Sequence, residues 1–207
     1  MFNIVTISRE YGSGGGRIAE MLAHRLGWRL VDKSLVAEVA RRAQVDAETA
    51  ARFDEGIDPW FHLLVRSLWQ GGYEGLATTV DTNVIDSEGM ARLAEEVIRE
   101  AAALRQCVIV GRGSQCVLRH HKDAFHVSVF GPHDEKIRRL RERLAAGTDA
   151  ERALGEMDRR RGAYIHRFYG KDWKDRRLYH LVISSALGLE TVTNTIVCAA
   201  GLTPQIS

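Results

Sequence analysis

The sequence predicts an α/β fold in which helices cover both faces of a parallel β-sheet, because short apolar runs alternate with longer amphipathic segments. Two runs support this most clearly. FNIVTIS is followed at once by a glycine-rich turn and a helical pattern, and CVIVG is the continuous apolar run typical of a strand buried on both faces. The chain has 207 residues with no internal repeat, low-complexity tract or linker, so we expect a single domain over residues 1–207.

Five segments have the length and composition of strands. Glycine or aspartate follows or closes several of them, as expected where a strand gives way to a loop. The predicted strands are FNIVTIS (2–8), WRLVD (28–32), CVIVG (107–111), AFHVSVF (124–130) and HLVIS (180–184).

Helical spacing of apolar residues predicts helices between and after these strands. Gly27 is expected to end the first helix, and Asp149 to cap a helix that runs toward Tyr169. The stretch 70–83 is rich in glycine and weakly patterned, and is expected to be a loop. The other predicted helices cover 34–53 (two short helices), 58–69, 87–104, 132–146 and about 189–200.

Composition limits the classes of function. The formal net charge of +2 gives no general case for a nucleic acid or a membrane as partner. Basic residues are nevertheless dense over 133–177, so an anionic ligand should face that part of the chain. Three widely spaced cysteines do not indicate a disulfide framework, and neither a signal segment nor a membrane-spanning run is seen. We therefore expect a cytoplasmic protein.

The stretch VTISREYGSGGGRIAEML (5–22) places a glycine-rich loop between a strand and a helix. Such a loop suits phosphate, since glycines let backbone N–H groups crowd round an anion at the positive end of a helix. Neither common pattern fits fully. The dinucleotide fingerprint lacks its third glycine at Arg17, and the phosphate loop pattern has Tyr11 for its first glycine and Ile18 at its last position. On this motif alone, nucleotide binding and a merely tight turn are both open.

Two further segments, VIVGRGSQCVL (108–118) and DRRRGAYIHRFYGKDWKDRRLYHLVISS (158–185), join the first loop in one pattern. Together the three resemble the cytidylate kinase-like family of P-loop nucleoside monophosphate kinases. The resemblance implies a three-layer α/β/α P-loop kinase fold of about five parallel strands, with an acceptor-binding helical region near 34–85 and a lid near 147–177. It also implies a phosphate loop that holds ATP through Gly12, Ser13, Gly14, Gly15, Gly16, Arg17 and Ile18.

The resemblance implies ATP-dependent, Mg²⁺-requiring phosphoryl transfer to a nucleoside monophosphate, most favourably CMP or dCMP. Such transfer depends mainly on positioning and charge neutralisation, so cations must surround the moving group. Arg17 would take the place of the usual lysine, and Arg159, Arg161 and Arg167 in the arginine-rich segment would close over the reacting centre. The acceptor would be held by Arg9, Asp32 and Arg112, with Asp32 also near the metal, directly or through water.

One position departs from the family pattern. Better-studied cytidylate kinases have Gly-Arg-Asp after the third strand, whereas this chain has Gly-Arg-Gly ending in Gly113. The departure leaves the acceptor base open, and with it two alternative functions: a nucleotide-binding regulator without transferase activity, and a kinase for another small acceptor. The role of Arg9 is also open between an acceptor contact and an internal ion pair.

Several side chains near these motifs have a plainer interpretation. Arg160 and much of RRLRER (138–143) are expected on a solvated helix face. Tyr164, Tyr169 and Trp173 would either stack on a base or pack the lid. The oligomeric state is not predicted.

Overall fold

A computed structural model describes residues 1–32 and 87–204. Its centre is a five-stranded sheet in the order β2-β3-β1-β4-β5, with every neighbouring pair parallel. All five predicted strands are confirmed. They are β1 (Ile4–Arg9), β2 (Arg29–Val31), β3 (Cys107–Val110), β4 (Ala124–Phe130) and β5 (Leu181–Ser184).

Within residues 1–32 and 87–204, the α-helices lie where the apolar spacing predicts them, with one addition, α3. Gly27 ends α1 in a left-handed conformation (φ 62°), and the Asp149 carboxylate caps α5 by accepting the N–H groups of Glu151 and Arg152. The helices are α1 (Gly15–Leu26), α2 (Ser87–Leu104), α3 (Ser114–Val117), α4 (His133–Arg143), α5 (Ala150–Tyr169) and α6 (Leu189–Ala199), with short 3-10 turns at Arg176–Leu178 and Ser185–Leu187.

The predicted helices within 34–53 and 58–69, the loop at 70–83 and the acceptor-binding region near 34–85 lie outside the described residues. In the part of the chain that is described, no helix has both the length and the apolar character to cross a membrane.

Helices pack on both faces of the sheet and give it three layers. On one face α1 and α6 bury Ile18, Leu22 and Ile196 against strand residues such as Val5 and Val127. On the opposite face α2 packs through an apolar row against β1, β2 and β3; it includes Leu93, Val97, Ile98 and Ala101. Because alternate strand residues point to opposite faces, continuous apolar strands are what such an arrangement requires.

The sheet order places the loops of interest together. The chain runs from β1 to β2 and β3 on one side of β1, then crosses to β4 and β5 on the other side. In open parallel sheets, ligands bind in the crevice at the carboxyl ends of the strands, at the point where the strand order reverses. The glycine loop after β1, Asp32 after β2 and the Gly-Arg-Gly turn after β3 all lie at that edge.

Candidate functional site

The loop after β1 is shaped by close packing at specific glycines. Gly12 and Gly14 have φ of 78° and 83°, the left-handed region that favours glycine. A Cβ on Gly12 would lie 2.9 Å from the Lys136 carbonyl oxygen, and one on Gly15 would lie 2.5 Å from the Cβ of Arg9. These glycines are therefore required by contacts within the protein, whatever the loop binds.

Gly16 differs from its neighbours in the loop. A Cβ there would meet no atom within 4 Å, and the residue is exposed. It lies in the first turn of α1, whose leading N–H groups have no partner within the helix, and Gly14 supplies no side-chain cap. The open side of the loop thus presents backbone donors at the positive end of a helix dipole, an arrangement suited to phosphate.

Helix α4 holds the loop from behind. Glu10 accepts hydrogen bonds from Lys136 Nζ (2.7 Å) and from the Gly131 N–H (3.3 Å). The Arg139 guanidinium donates to the carbonyl oxygen of Ser13 at 3.0 Å. These contacts fix the glycine loop on the side that faces α4.

Arg139 contacts the glycine loop, which the sequence analysis did not predict. It belongs to RRLRER, most of which was expected to be solvated, and Arg138 and Arg141 are indeed exposed. Arg139 instead turns inward, where it also bonds Ser185 Oγ (3.1 Å) and pairs with Glu135 (2.7 Å). It lies one turn from the buried Lys136 and next to the buried Leu140, and no local sequence pattern indicates this orientation.

Three arginines converge at the carboxyl ends of β1 and β3. Burial, followed by the positive charges of Arg161 and Arg112, lowers the pKa of Arg9 to about 10, against the opposing influence of Asp32 and Asp158. The Arg9 guanidinium packs on Gly111, where a Cβ would lie 2.0 Å from Nη1.

Arg161 ties this cluster to α5. It donates to the Arg9 carbonyl oxygen and to Asp158 Oδ1 (3.0 Å), and Asp158 in turn accepts the Tyr11 N–H (2.8 Å). Two cations and two carboxylates therefore act on Arg9, which is itself positively charged. The group as a whole has more positive than negative charge, which favours an anionic ligand.

The turn after β3 is left-handed at three successive residues. Gly111, Arg112 and Gly113 have φ of 72°, 56° and 75°. A Cβ on Gly113 would lie 2.2 Å from Cε2 of Tyr169, whose hydroxyl donates to the Arg112 carbonyl oxygen at 3.2 Å. The glycine that departs from the family pattern is thus demanded by both its backbone conformation and its aromatic neighbour.

The predicted arginines are only partly brought together. Arg17 lies on the open side of the loop with its side chain 69% exposed, paired with Glu20 at 2.8 Å. Such a surface pair is worth no more than about 1 kcal/mol, so it yields readily to a phosphate. Arg159 and Arg167 are exposed, and the Arg167 guanidinium lies 5.4 Å from the Phe168 ring centroid. Of the three arginines predicted to close over the centre, the structure places only Arg161 in the cluster, because α5 is one continuous helix that turns the other two to different faces.

Two aromatic residues of the segment 158–185, Tyr169 and Trp173, pack against other parts of the protein. Trp173 is buried, and the Arg161 guanidinium lies 5.6 Å from its ring centroid. The Tyr169 ring packs on Gly113, and its hydroxyl donates to the Arg112 carbonyl oxygen. Arg160 is exposed as expected, 3.8 Å from Glu156.

Asp32 is a carboxylate at this edge of the sheet. It follows β2, is partly buried and raises the pKa of Arg9 through its charge. Within residues 1–32 and 87–204, no group of three or more metal-ligating side chains is present. A single carboxylate nevertheless fits Mg²⁺, which commonly takes one or two carboxylates together with nucleotide phosphates and water.

Two comparisons of the sequence with known proteins point to one family. A model of the cytidylate kinase-like family matches residues 4–187. A curated relative, cytidylate kinase from Serratia proteamaculans (strain 568), is 27% identical over 111 residues, which cover 50% of this chain and 48% of the relative. The match thus spans about half the length of that enzyme.

Solved structures share the fold at low identity. An uncharacterized protein from Eubacterium ventriosum ATCC 27560 has a TM-score of 0.69 at 24% identity, with 96% of this chain and 98% of that chain covered. Shikimate kinase from Bacteroides thetaiotaomicron has a TM-score of 0.54 at 14% identity, with the same coverage. As the sequence predicts, the chain has a three-layer α/β/α P-loop kinase fold and belongs to the cytidylate kinase-like family.

Proposed function

We propose that this protein is an ATP- and Mg²⁺-dependent kinase that transfers a phosphoryl group to a nucleoside monophosphate, with CMP or dCMP as the acceptor. The observation that carries the proposal is the position of Arg9. Its Cβ abuts Gly15 of the glycine loop, and its guanidinium packs on Gly111 beside Arg112 and Arg161. Two anion sites, one of backbone donors and one of guanidinium groups, therefore meet at a single side chain.

The glycine loop is the donor side of the proposal. Its N–H groups at Gly15, Gly16 and Arg17, in the first turn of α1, would hold the β- and γ-phosphates of ATP, and the Arg17 guanidinium would leave Glu20 to bind them. Arginine binds phosphate in a bidentate manner, although it differs from lysine in reach and hydration. Lys136 and Arg139 keep the loop in the required shape from behind.

The arginine cluster is the acceptor side. Arg9 and Arg112 would bind the phosphate of the monophosphate, and Arg161, next to both, would neutralise charge on the group in transit. In phosphoryl transfer, charge on the moving group is already present, so fixed cations at the right place supply most of the catalysis. Asp32, with the nucleotide phosphates and water, would hold the Mg²⁺, which when bound neutralises and orients those phosphates.

Gly113 favours a second candidate, a kinase for a different small acceptor on the same frame. The turn beside Arg112 offers an aromatic ring where the family resemblance implies an acidic side chain. Having Gly113 in place of an aspartate does not alter the arginines that would bind the anionic group of the acceptor. It does leave open which chemical group of the acceptor would lie against the Tyr169 ring.

The test is a coupled assay of ADP production with ATP and Mg²⁺ over a panel of acceptors: CMP, dCMP, UMP, AMP, GMP and shikimate. Turnover with CMP or dCMP at the highest kcat/KM supports the proposal. Preference for another acceptor moves the assignment to the second candidate. If ATP raises the melting temperature but no acceptor supports turnover, the protein is a nucleotide-binding regulator instead.

A further inference from the structure

The turn at Gly111, Arg112 and Gly113 holds a non-glycine residue in an unfavourable conformation. Arg112 has φ of 56° between two glycines that are also left-handed. L-residues with a side chain occupy this region infrequently, so the surrounding structure must stabilise it. The turn matters because it places Arg112 close enough to Arg9 for the positive charge of Arg112 to lower the pKa of Arg9.

Tyr169 is a side chain from outside the turn that both hydrogen-bonds to it and packs on it. Its hydroxyl donates to the Arg112 carbonyl oxygen at 3.2 Å, and its ring covers Gly113, leaving no room for a Cβ there. Burial raises the pKa of the Tyr169 phenol, so this hydroxyl stays protonated and remains a donor.

The position of Tyr169 is itself fixed by α5. Tyr169 is the last residue of that helix, and Gly170 ends it with φ of 61° and an N–H bond to the His166 carbonyl oxygen. Two and three turns earlier, Arg161 of the same helix contacts the end of β1 at Arg9, and Asp158 contacts the loop after it at Tyr11. One rigid element therefore touches both the glycine loop and the Gly-Arg-Gly turn.

We propose that Tyr169 is a positioning residue for the acceptor phosphate: by binding the Arg112 carbonyl and packing on Gly113, it holds Arg112 in the left-handed turn that directs its guanidinium into the arginine cluster. This role rests on the proposed function, since it assumes that the cluster binds the acceptor. In this interpretation, position 113 is glycine because the Tyr169 ring leaves no room for a side chain there.

The experiment compares Tyr169→Phe with Tyr164→Phe. Both remove one hydroxyl from the same helix, but the Tyr164 hydroxyl is buried beside Tyr169 and makes no hydrogen bond to the Gly111–Gly113 turn, so its loss leaves the bond from Tyr169 to the Arg112 carbonyl in place. For Tyr169→Phe we expect kcat/KM for the acceptor to fall about fivefold, the usual worth of one hydrogen bond, with the KM for ATP unchanged. When Arg112→Ala is already present, Tyr169→Phe should cause no further loss.

A measurement without ligand separates this proposal from the proposed function. The N–H groups of Ser114 and Val117 bond to the carbonyl oxygens of Gly111 and Gly113, both at 3.0 Å, so their hydrogen exchange reports on the turn. We expect exchange at these amides to rise about fivefold in Tyr169→Phe and to stay at the wild-type rate in Tyr164→Phe.

Unchanged exchange in Tyr169→Phe overturns the proposal, whatever the acceptor. Faster exchange with an unaltered acceptor kcat/KM, or an equal effect of Tyr164→Phe, also overturns it. If the wild-type protein turns over no acceptor, the proposed function fails, and calorimetry with inorganic phosphate then decides the role of Tyr169. Weaker phosphate binding in Tyr169→Phe supports that role, and equal binding refutes it.

Discussion

Arg9→Met is the substitution that separates a binding role for Arg9 from a structural one. Burial and the neighbouring guanidinium groups lower the pKa of Arg9 from 12.5 to about 10. That shift corresponds to about 3 kcal/mol against the charged form in the folded protein. Since the folded pKa is the lower of the two, this cost is fully present at pH 7 and fades only above pH 10. Methionine removes the charge and keeps an apolar stem of similar length against Gly15 and Gly111.

The expected result is a more stable protein that binds phosphate less well. Because Arg9 is partly exposed, we expect about 1–2 kcal/mol of the shift to appear as a higher free energy of unfolding. For a chain of this size that raises the melting temperature by roughly 2–4 °C per kcal/mol. Loss of a charge-assisted contact should weaken monophosphate binding by at least about tenfold.

Urea unfolding with and without inorganic phosphate measures both effects. Phosphate should stabilise the wild-type protein by mass action and have little effect on Arg9→Met. Arg160→Met, on the exposed face of α5, is the control and should change neither quantity. If Arg9→Met instead unfolds more easily than wild type and gains as much from phosphate, Arg9 is an internal structural bridge and the acceptor role is wrong.

Four other substitutions or conditions test the site and the core. Gly16→Ala should leave the free energy of unfolding unchanged or raise it by up to about 1 kcal/mol, since no atom lies within 4 Å of the added Cβ and alanine favours helix. The same substitution should weaken ATP binding at least about tenfold. Equal ATP affinity by calorimetry would show that no phosphate approaches Gly16. Arg17→Ala should weaken ATP binding and reduce turnover, and unchanged kinetics would mean that the cation comes from elsewhere. Arg161→Ala should lower kcat by about three powers of ten with little change in ATP affinity, and an equal loss of both would indicate static binding. Burial and the charge of His180 lower the pKa of His126 to about 4. Because the unfolded chain binds a proton at this histidine near pH 6.5 and the folded protein does not, the free energy of unfolding should fall by about 3 kcal/mol between pH 7 and pH 4. Urea titrations over this pH range should show a flatter profile for His126→Asn.

The features that sequence predicts well here are local. Strand periodicity, the glycine stop at Gly27 and the Asp149 cap depend on residues within one or two turns of each other, and the structure contains all of them. Helix α3 (Ser114–Val117) was not predicted because four residues after a glycine turn carry too little apolar pattern.

The features that sequence misses depend on distant contacts. The interaction of Tyr169 with Gly113 joins residues 56 positions apart, and no local pattern reports it. Arg139 has the composition of a solvated helix face, and only the placement of α4 behind the glycine loop turns it inward. Arg159 and Arg167 lie on other faces of α5 than Arg161, since residue type does not determine which way a helix is rotated, and their catalytic role stays a prediction.

The continuity of α5 has a geometric consequence. Eight residues separate Arg161 from Tyr169, so helix geometry alone fixes their separation along the axis at about 12 Å. A straight helix cannot shorten between them, and the contact at one end therefore limits the freedom of the contact at the other. The end of β1, which Arg161 contacts, and the Gly-Arg-Gly turn, which Tyr169 contacts, are therefore tied to one helix at a fixed spacing.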